Sequence, residues 1–231
     1  MPVPTSNLRS DATDLDIALF QEIETTLYTA VIADSLDELG YRNQAMNPEM
    51  RPITPCTAFA GWARTIACVD VYHVPEDPYA MEIEALDSIR DGEVVVVSTG
   101  GSRRNAPWGE LLSTAARARG ARGAVIEGLV RDVRKIEELQ FPVFAVGVKP
   151  VDSRGRGIVL GYNSPVECAG VLVTPGDLVV ADFDGVVVIP QEAIHETVRM
   201  ASDKAGRENE SRRELLKGAF LRDVFEKYGV L

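Results

Sequence analysis

The feature that most constrains this chain is a set of short apolar segments alternating with helical ones between residues 93 and 146. Residues 93–98 read EVVVVS, a strand with no wet face, which belongs in a sheet covered on both sides. The helical pattern at 109–119 carries Leu111, Leu112, Ala115, Ala116 and Ala118 and stops at Gly120. GAVIE at 123–127 is a second buried strand, followed by a link ending at Asp132, a helix over 133–139 and a strand over 142–146. Strand–helix–strand–helix–strand with short connections predicts an α/β fold with a parallel or mixed sheet covered by helices.

Weaker patterns flank this centre. Ile17, Phe20, Ile23, Leu27 and Val31 recur at helical spacing from Leu15, and 34–39 reads as a second helix closed by Gly40. Pro48, Pro52 and Pro55 mark a loop; 59–71 reads as strand and 75–90 as a short helix. Residues 158–189 are strand-rich, with a tight hairpin turn at Asp184-Gly185 of the segment DFDG. Three helices are expected at the end, over 191–205, 208–217 and 220–228. Residues 1–14 form a polar arm, and 15–231 read as one domain with helical ends.

Composition removes several function classes. A net charge of −11 over 231 residues offers no basic surface for nucleic acid. No apolar run reaches membrane length, and the first residues lack the apolar region of a signal peptide. Cys56, Cys68 and Cys168 are odd in number and far apart, which favours reduced thiols and a cytoplasmic setting. His73 and His195 stand alone, so a histidine-based zinc site is not expected. Neither a Walker A loop nor a GxSxG elbow occurs, and Gly155, Gly157 and Gly161 miss the GxGxxG spacing.

Two places can carry chemistry. Gly109, Glu110, Leu111 and Leu112 open a helix directly after a strand and loop, where unpaired N–H groups suit a carboxylate or phosphate. Most helix starts of this kind bind nothing. Arg131 and Asp132 follow the strand 123–127, at the sheet end where open α/β sheets bind ligands. Arg131 offers a fork for a carboxylate or an enolate oxygen, and Asp132 a hard oxygen for Mg²⁺ or Mn²⁺. Helix capping explains Asp132 equally well, but leaves Arg131 unexplained.

The stretch WGELLSTAARARGARGAVIEGLVRD, with an acid at Glu110, twenty intervening residues and then Arg131-Asp132, resembles the RraA-like family, as does GDLVVADFDGVVVIP at 176–190. That family includes 4-hydroxy-4-methyl-2-oxoglutarate and 4-carboxy-4-hydroxy-2-oxoadipate aldolases and regulators of RNase E. The resemblance, over roughly residues 20–230, implies a compact α-β-β-α sandwich related to swivelling phosphohistidine-type domains, assembled as homotrimers or homohexamers with sites between subunits. It implies a divalent-metal-dependent aldolase or decarboxylase that cleaves a 4-hydroxy-2-oxo acid, or oxaloacetate, to pyruvate through a metal-stabilised enolate. In that scheme Gly109, Glu110, Leu111 and Leu112 hold the pyruvoyl carboxylate, and Arg131 holds its oxygens. Asp132 carries Mg²⁺ or Mn²⁺, and Glu110 or the metal activates a water. Aldolase members have Asp where this chain has Glu110, and the regulators have Gly. A second acid from a neighbouring subunit is expected, with Glu208 and Glu210 as candidates.

Other features have weaker expectations. Arg103 and Arg104 could bind a distal carboxylate or simply sit on a surface loop. Asp182 and Asp184 look like a metal DxD but are better explained by the turn. Leu215, Leu216, Phe220, Leu221, Val224, Phe225 and Tyr228 form an apolar stripe for the core or a subunit contact. The competing functions are an RraA-type regulator that binds an RNase E-like partner without catalysis, and a phosphohistidine-type carrier, which lacks a suitable histidine.

Overall fold

A computed structural model describes residues 11–55 and 58–230. The strands are β1 (Arg51–Pro52), β2 (Phe59–Asp70), β3 (Glu93–Ser98), β4 (Gly123–Val130), β5 (Val143–Val148), β6 (Gly157–Tyr162), β7 (Val166–Cys168), β8 (Val171–Val173), β9 (Leu178–Asp182) and β10 (Gly185–Ile189). The helices are α1 (Asp14–Thr26), α2 (Thr29–Glu38), α3 (Ala80–Asp87), α4 (Glu110–Ala118), α5 (Val133–Leu139), α6 (Ile194–Leu216) and α7 (Leu221–Tyr228). One mixed sheet runs β1-β5-β4-β3-β2-β9-β10, with β6 also on β2. Its centre, β2 to β5, is parallel, and every other pairing is antiparallel.

The side-chain alternation of the strands explains how this sheet is covered. Phe59, Ala63, Val94, Val96, Val125, Phe144, Val179 and Val188 share one face, closed by the two-stranded β7–β8 ribbon with Met46 and Met50. On the opposite face, Ile66, Val95, Val97, Ala124, Ile126 and Ala145 pack beneath α3, α4 and α5. On that same face Ala60, Trp62, Leu178, Val180 and Val187 carry α1, α2 and α6. The expected sandwich is therefore modified. A small ribbon, rather than helices, covers the inner face of a curled mixed sheet, because residues 166–173 are too short and too punctuated by Ala169 and Gly170, both at positive φ, to form anything longer.

Three boundaries differ from expectation. The first helix ends at Thr26, since Leu27 is extended and Thr25 and Thr26 turn their hydroxyls back to helix carbonyls. The Asp182 carboxylate then accepts from the Thr29 N–H and hydroxyl and starts α2 three residues further on. Strand β4 continues to Val130, through what the sequence suggested was a link. The expected break between 205 and 208 is absent, and α6 is one helix of 23 residues. A single exposed glycine, Gly206, costs only about 1 kcal/mol, less than the packing of α6 on α2 and α7 contributes. Of the expected arm, residues 1–10 lie outside the described part, and Thr13 caps α1. Among the described residues no helix is long and apolar enough to cross a membrane.

Candidate active site

Strands β2, β3, β4 and β5 run parallel, so their carboxyl ends lie along one edge of the sheet, the edge where such sheets bind ligands. The connections leaving them enclose a cleft of about 320 Å³. Its walls include Tyr79 and Glu82 after β2, Gly109 to Leu112 after β3, Arg131 and Asp132 after β4, and Asp152 and Ser153 after β5. The two places singled out in the sequence, Gly109, Glu110, Leu111 and Leu112 with Arg131 and Asp132, thus line one cleft.

Two backbone features set the geometry. Trp108 forms a bridge to Val130, and the Arg131 N–H donates to the Trp108 carbonyl at 3.0 Å, stitching the loop before α4 to the end of β4. Trp108 is buried, and its Nε1–H donates to Ser113 Oγ at 2.8 Å, whose hydroxyl donates to the Gly109 carbonyl at 2.9 Å. Gly109 has extended dihedrals that any residue could adopt, so space is the reason for glycine. A Cβ there would lie 2.8 Å from Asp132 Oδ2 and 3.1 Å from Arg131 Cγ. No side chain caps α4, so the helix start faces the cleft open.

Asp132 resolves the ambiguity left by the sequence. It occupies the position before α5, yet its side chain makes no capping hydrogen bond. Its backbone is left-handed, φ 60° and ψ 27°, a conformation that costs a non-glycine residue about 1 kcal/mol. The carboxylate, 47% exposed, lies 3.6 Å from Arg131 Nε. The capping explanation does not hold, and the carboxylate is available to a ligand.

Arg131 is held from its far end as well. Its Nη2 lies 3.1 Å from Asp152 Oδ1, while Asp152 Oδ2 accepts from the Tyr79 hydroxyl at 2.7 Å and from the Arg154 N–H at 3.2 Å. Burial pushes the Asp152 carboxyl up, but the Tyr79 hydroxyl, the neighbouring amides and Arg131 together hold it below the ordinary aspartate value. Burial and the nearby Asp152 charge push Glu82 up to about 7, against the opposing pull of Arg131. Glu110 lines the cleft and accepts from the Thr114 hydroxyl at 3.0 Å.

Sequence reasoning missed Tyr79, Glu82 and Asp152. One signal was present for Asp152: it follows β5, the third strand of the 93–146 pattern, as Gly109–Leu112 and Arg131–Asp132 follow β3 and β4. Other candidates lie elsewhere. Arg104 is committed to Asp70, the Val71 carbonyl and the Tyr72 ring, and neither it nor Arg103 lines the cleft. Glu208 and Glu210 sit on α6, which packs on α2 and α7, and neither lines the cleft within one chain. His73 and His195 are exposed. Asp182 serves α2 and the hairpin, whose two-residue turn is Phe183-Asp184, one residue earlier than anticipated. Cys56 lies outside the described residues.

No three His, Cys, Asp or Glu side chains converge as a metal cage among the described residues. The donor set nevertheless fits a hard divalent cation of the kind that uses one or two carboxylates and keeps its waters. Among the described residues that line the cleft Arg131 is the one cation, and of the carboxylates facing it Asp132 has an oxygen to spare.

A mixed α/β protein with a carboxylate-rich cleft at its parallel-strand ends is the class that fold and site define. The family model RraA-like, described as Aldolase/RraA, matches residues 29–188, and the chain belongs to that family. It is 36% identical over 168 residues to a protein of Halorhodospira halophila named "Putative 4-hydroxy-4-methyl-2-oxoglutarate aldolase", covering 72% of this chain and 97% of that one. It is 44% identical over 125 residues to an uncharacterised Methanocaldococcus jannaschii protein, covering 54% of this chain but only 59% of that one. Among solved structures, Streptomyces coelicolor RraAS2, described as an unusual member of the RNase ES inhibitor RraA family, superposes with a TM-score of 0.77. That match has 29% identity and covers 89% of this chain and 98% of the other.

Proposed function

We propose that this protein is a divalent-metal-dependent lyase that cleaves a C–C bond in a 4-hydroxy-2-oxo acid, or in oxaloacetate, to give pyruvate. The observation that carries the reading is the left-handed Asp132, its carboxylate unused by the helix it precedes and set beside Arg131 at an open helix start. A regulator acting through its outer surface gives that arrangement no use.

The roles follow from the chemistry. The N–H groups at the start of α4 and the Arg131 fork bind the carboxylate and 2-oxo oxygen of the substrate. Asp152 and Tyr79 keep that fork aimed at the oxygen where negative charge grows. Asp132 would hold Mg²⁺ or Mn²⁺, which supplies Lewis-acid polarisation of the 2-oxo group. Glu110, at the cleft wall, accepts the C4 hydroxyl proton through a water.

The same reading makes the working form a cytoplasmic homotrimer or homohexamer. Leu216, Phe220, Leu221 and Phe225 are exposed in one chain and suit a subunit contact, through which Glu208 or Glu210 could reach a neighbour's cleft. Cys68 and Cys168 are free thiols, both pushed up by burial and therefore unreactive, as a reducing compartment allows. The kinship with swivelling phosphohistidine-type domains rests on the family resemblance. The test is pyruvate release from oxaloacetate and from 4-hydroxy-4-methyl-2-oxoglutarate with Mg²⁺ or Mn²⁺ and with EDTA. Turnover in Mg²⁺ that EDTA abolishes is expected; equal turnover in EDTA, or none at all, overturns the proposal.

A further inference from the structure

Glu82 is the cleft residue to which the proposed function assigns no work. It stands in the first turn of α3 and lines the cleft that holds Arg131 and Asp132. On its other side is a narrow recess lined by Cys68, Asn105 and Ile158. The recess measures about 20 Å³, room for one water-sized molecule and no substrate fragment, so a substrate meets Glu82 from the cleft. Among the described residues its carboxyl has no hydrogen bond and no ion pair, unlike Asp152. The charged and titratable groups around it are Asp152, Arg131, Asp132, Tyr79 and Glu110 on the cleft side, and Cys68 and Asp70 across the recess.

The reaction needs a proton donor that faces the cleft. When the C3–C4 bond of a 4-hydroxy-2-oxo acid breaks, its electron pair becomes the C2–C3 double bond of the pyruvate enolate, and a C2 carbonyl pair moves onto oxygen. The C4 hydroxyl gives up its proton and becomes a carbonyl. C3 must then gain a proton before pyruvate is formed. We propose that Glu82 is a catalytic residue that supplies this proton to C3 and, in the reverse direction, removes one from the methyl group of pyruvate. Its O–H bond breaks as the C3–H bond forms, the oxygen pair restores the C2 carbonyl, and water reprotonates the carboxylate. The inference rests on the lyase reading of the cleft. A carboxyl poised at about 7 populates both forms at neutral pH, as a group that gives and takes protons must.

The test is exchange of the pyruvate methyl protons in D₂O, followed by proton NMR with Mg²⁺ present, for the parent protein and Glu82→Gln. The parent should exchange, and the variant should lose exchange by about 100-fold or more. Exchange undiminished in Glu82→Gln, with the parent active, overturns the role of Glu82 and leaves the lyase reading standing. No exchange in the parent overturns both. A carbon NMR titration of the metal-free protein gives a readout that does not depend on turnover. One glutamate carboxyl should titrate near 7 and vanish in Glu82→Gln; its absence from the parent overturns the proposal even if the variant folds poorly.

Discussion

Asp132 and Asp182 are both aspartates at the end of a strand in an acid-bearing loop, and their carboxylates have opposite fates. Asp182, at the end of β9, accepts from the Thr29 N–H at 2.7 Å, the Thr29 hydroxyl at 2.6 Å and the Asp184 N–H at 2.9 Å. It ties a hairpin to the start of α2, and its acceptor capacity is spent on the fold. Asp132, just past β4, stands where a cap would stand, and its carbonyl accepts from the Lys135 and Ile136 N–H groups, but its carboxylate bonds to no amide of the helix, and its backbone is left-handed. A site is marked less by where acids occur than by whether local amides have already claimed them. Strain at a residue whose carboxylate no local amide has claimed points towards function.

The largest test of this contrast is Asp132→Ala. Pyruvate release should fall about 1,000-fold or more, with stability changed by less than about 1 kcal/mol, as read by turnover and urea unfolding. Retained turnover breaks the comparison. Next is the pH dependence of the cleft. Glu82 has a folded pKa of about 7 against an ordinary 4.5, so its contribution to stability is complete below about 4.5 and is lost as pH rises through 7. Glu82→Gln cannot ionise and should be more stable than its parent at pH 8 by up to about 3 kcal/mol, less where water screens the carboxyl. Denaturation at pH 4 and pH 8 would show whether the gain is confined to the alkaline side.

Asp152→Asn should loosen Arg131 and lower kcat/KM by about 10- to 100-fold, mostly through kcat if the fork is aimed at developing charge. Asp182→Ala should do the reverse of Asp132→Ala. About 1–2 kcal/mol of stability is lost, with turnover per folded molecule nearly intact. The smallest change in stability is that of Asp132→Gly, which relieves the left-handed backbone and should stabilise the fold by up to about 1 kcal/mol, though turnover is lost as in Asp132→Ala. If stability falls instead, the conformation is not a strained one.

Much of the centre was legible in the sequence because its determinants are local. The EVVVVS and GAVIE strands, and the 133–139 helix, carry their periodicity and stop signals within a few residues. Arg131 and Asp132 could be singled out for the same reason. Tyr79, Glu82 and Asp152 could not, since each lies in a segment of ordinary composition and matters only through what the fold sets beside it. Glu82 became distinctive through burial and through Asp152, seventy positions away in the chain. The curl of the sheet was hidden likewise. It depends on β2 pairing with β9 and β6, which no local pattern encodes.

That long second strand has a consequence for how the chain reaches its fold. One edge of β2 meets β3 soon after both are synthesised, but its other edge is completed only by β6 and then by β9, whose partners on β2 lie over a hundred residues earlier. Until residues 157–182 emerge, a mostly apolar strand of twelve residues presents an unpaired edge to anything nearby. The newborn chain therefore passes through a period when it is most open to pairing with the wrong strand, and conditions that slow its synthesis lengthen that exposure.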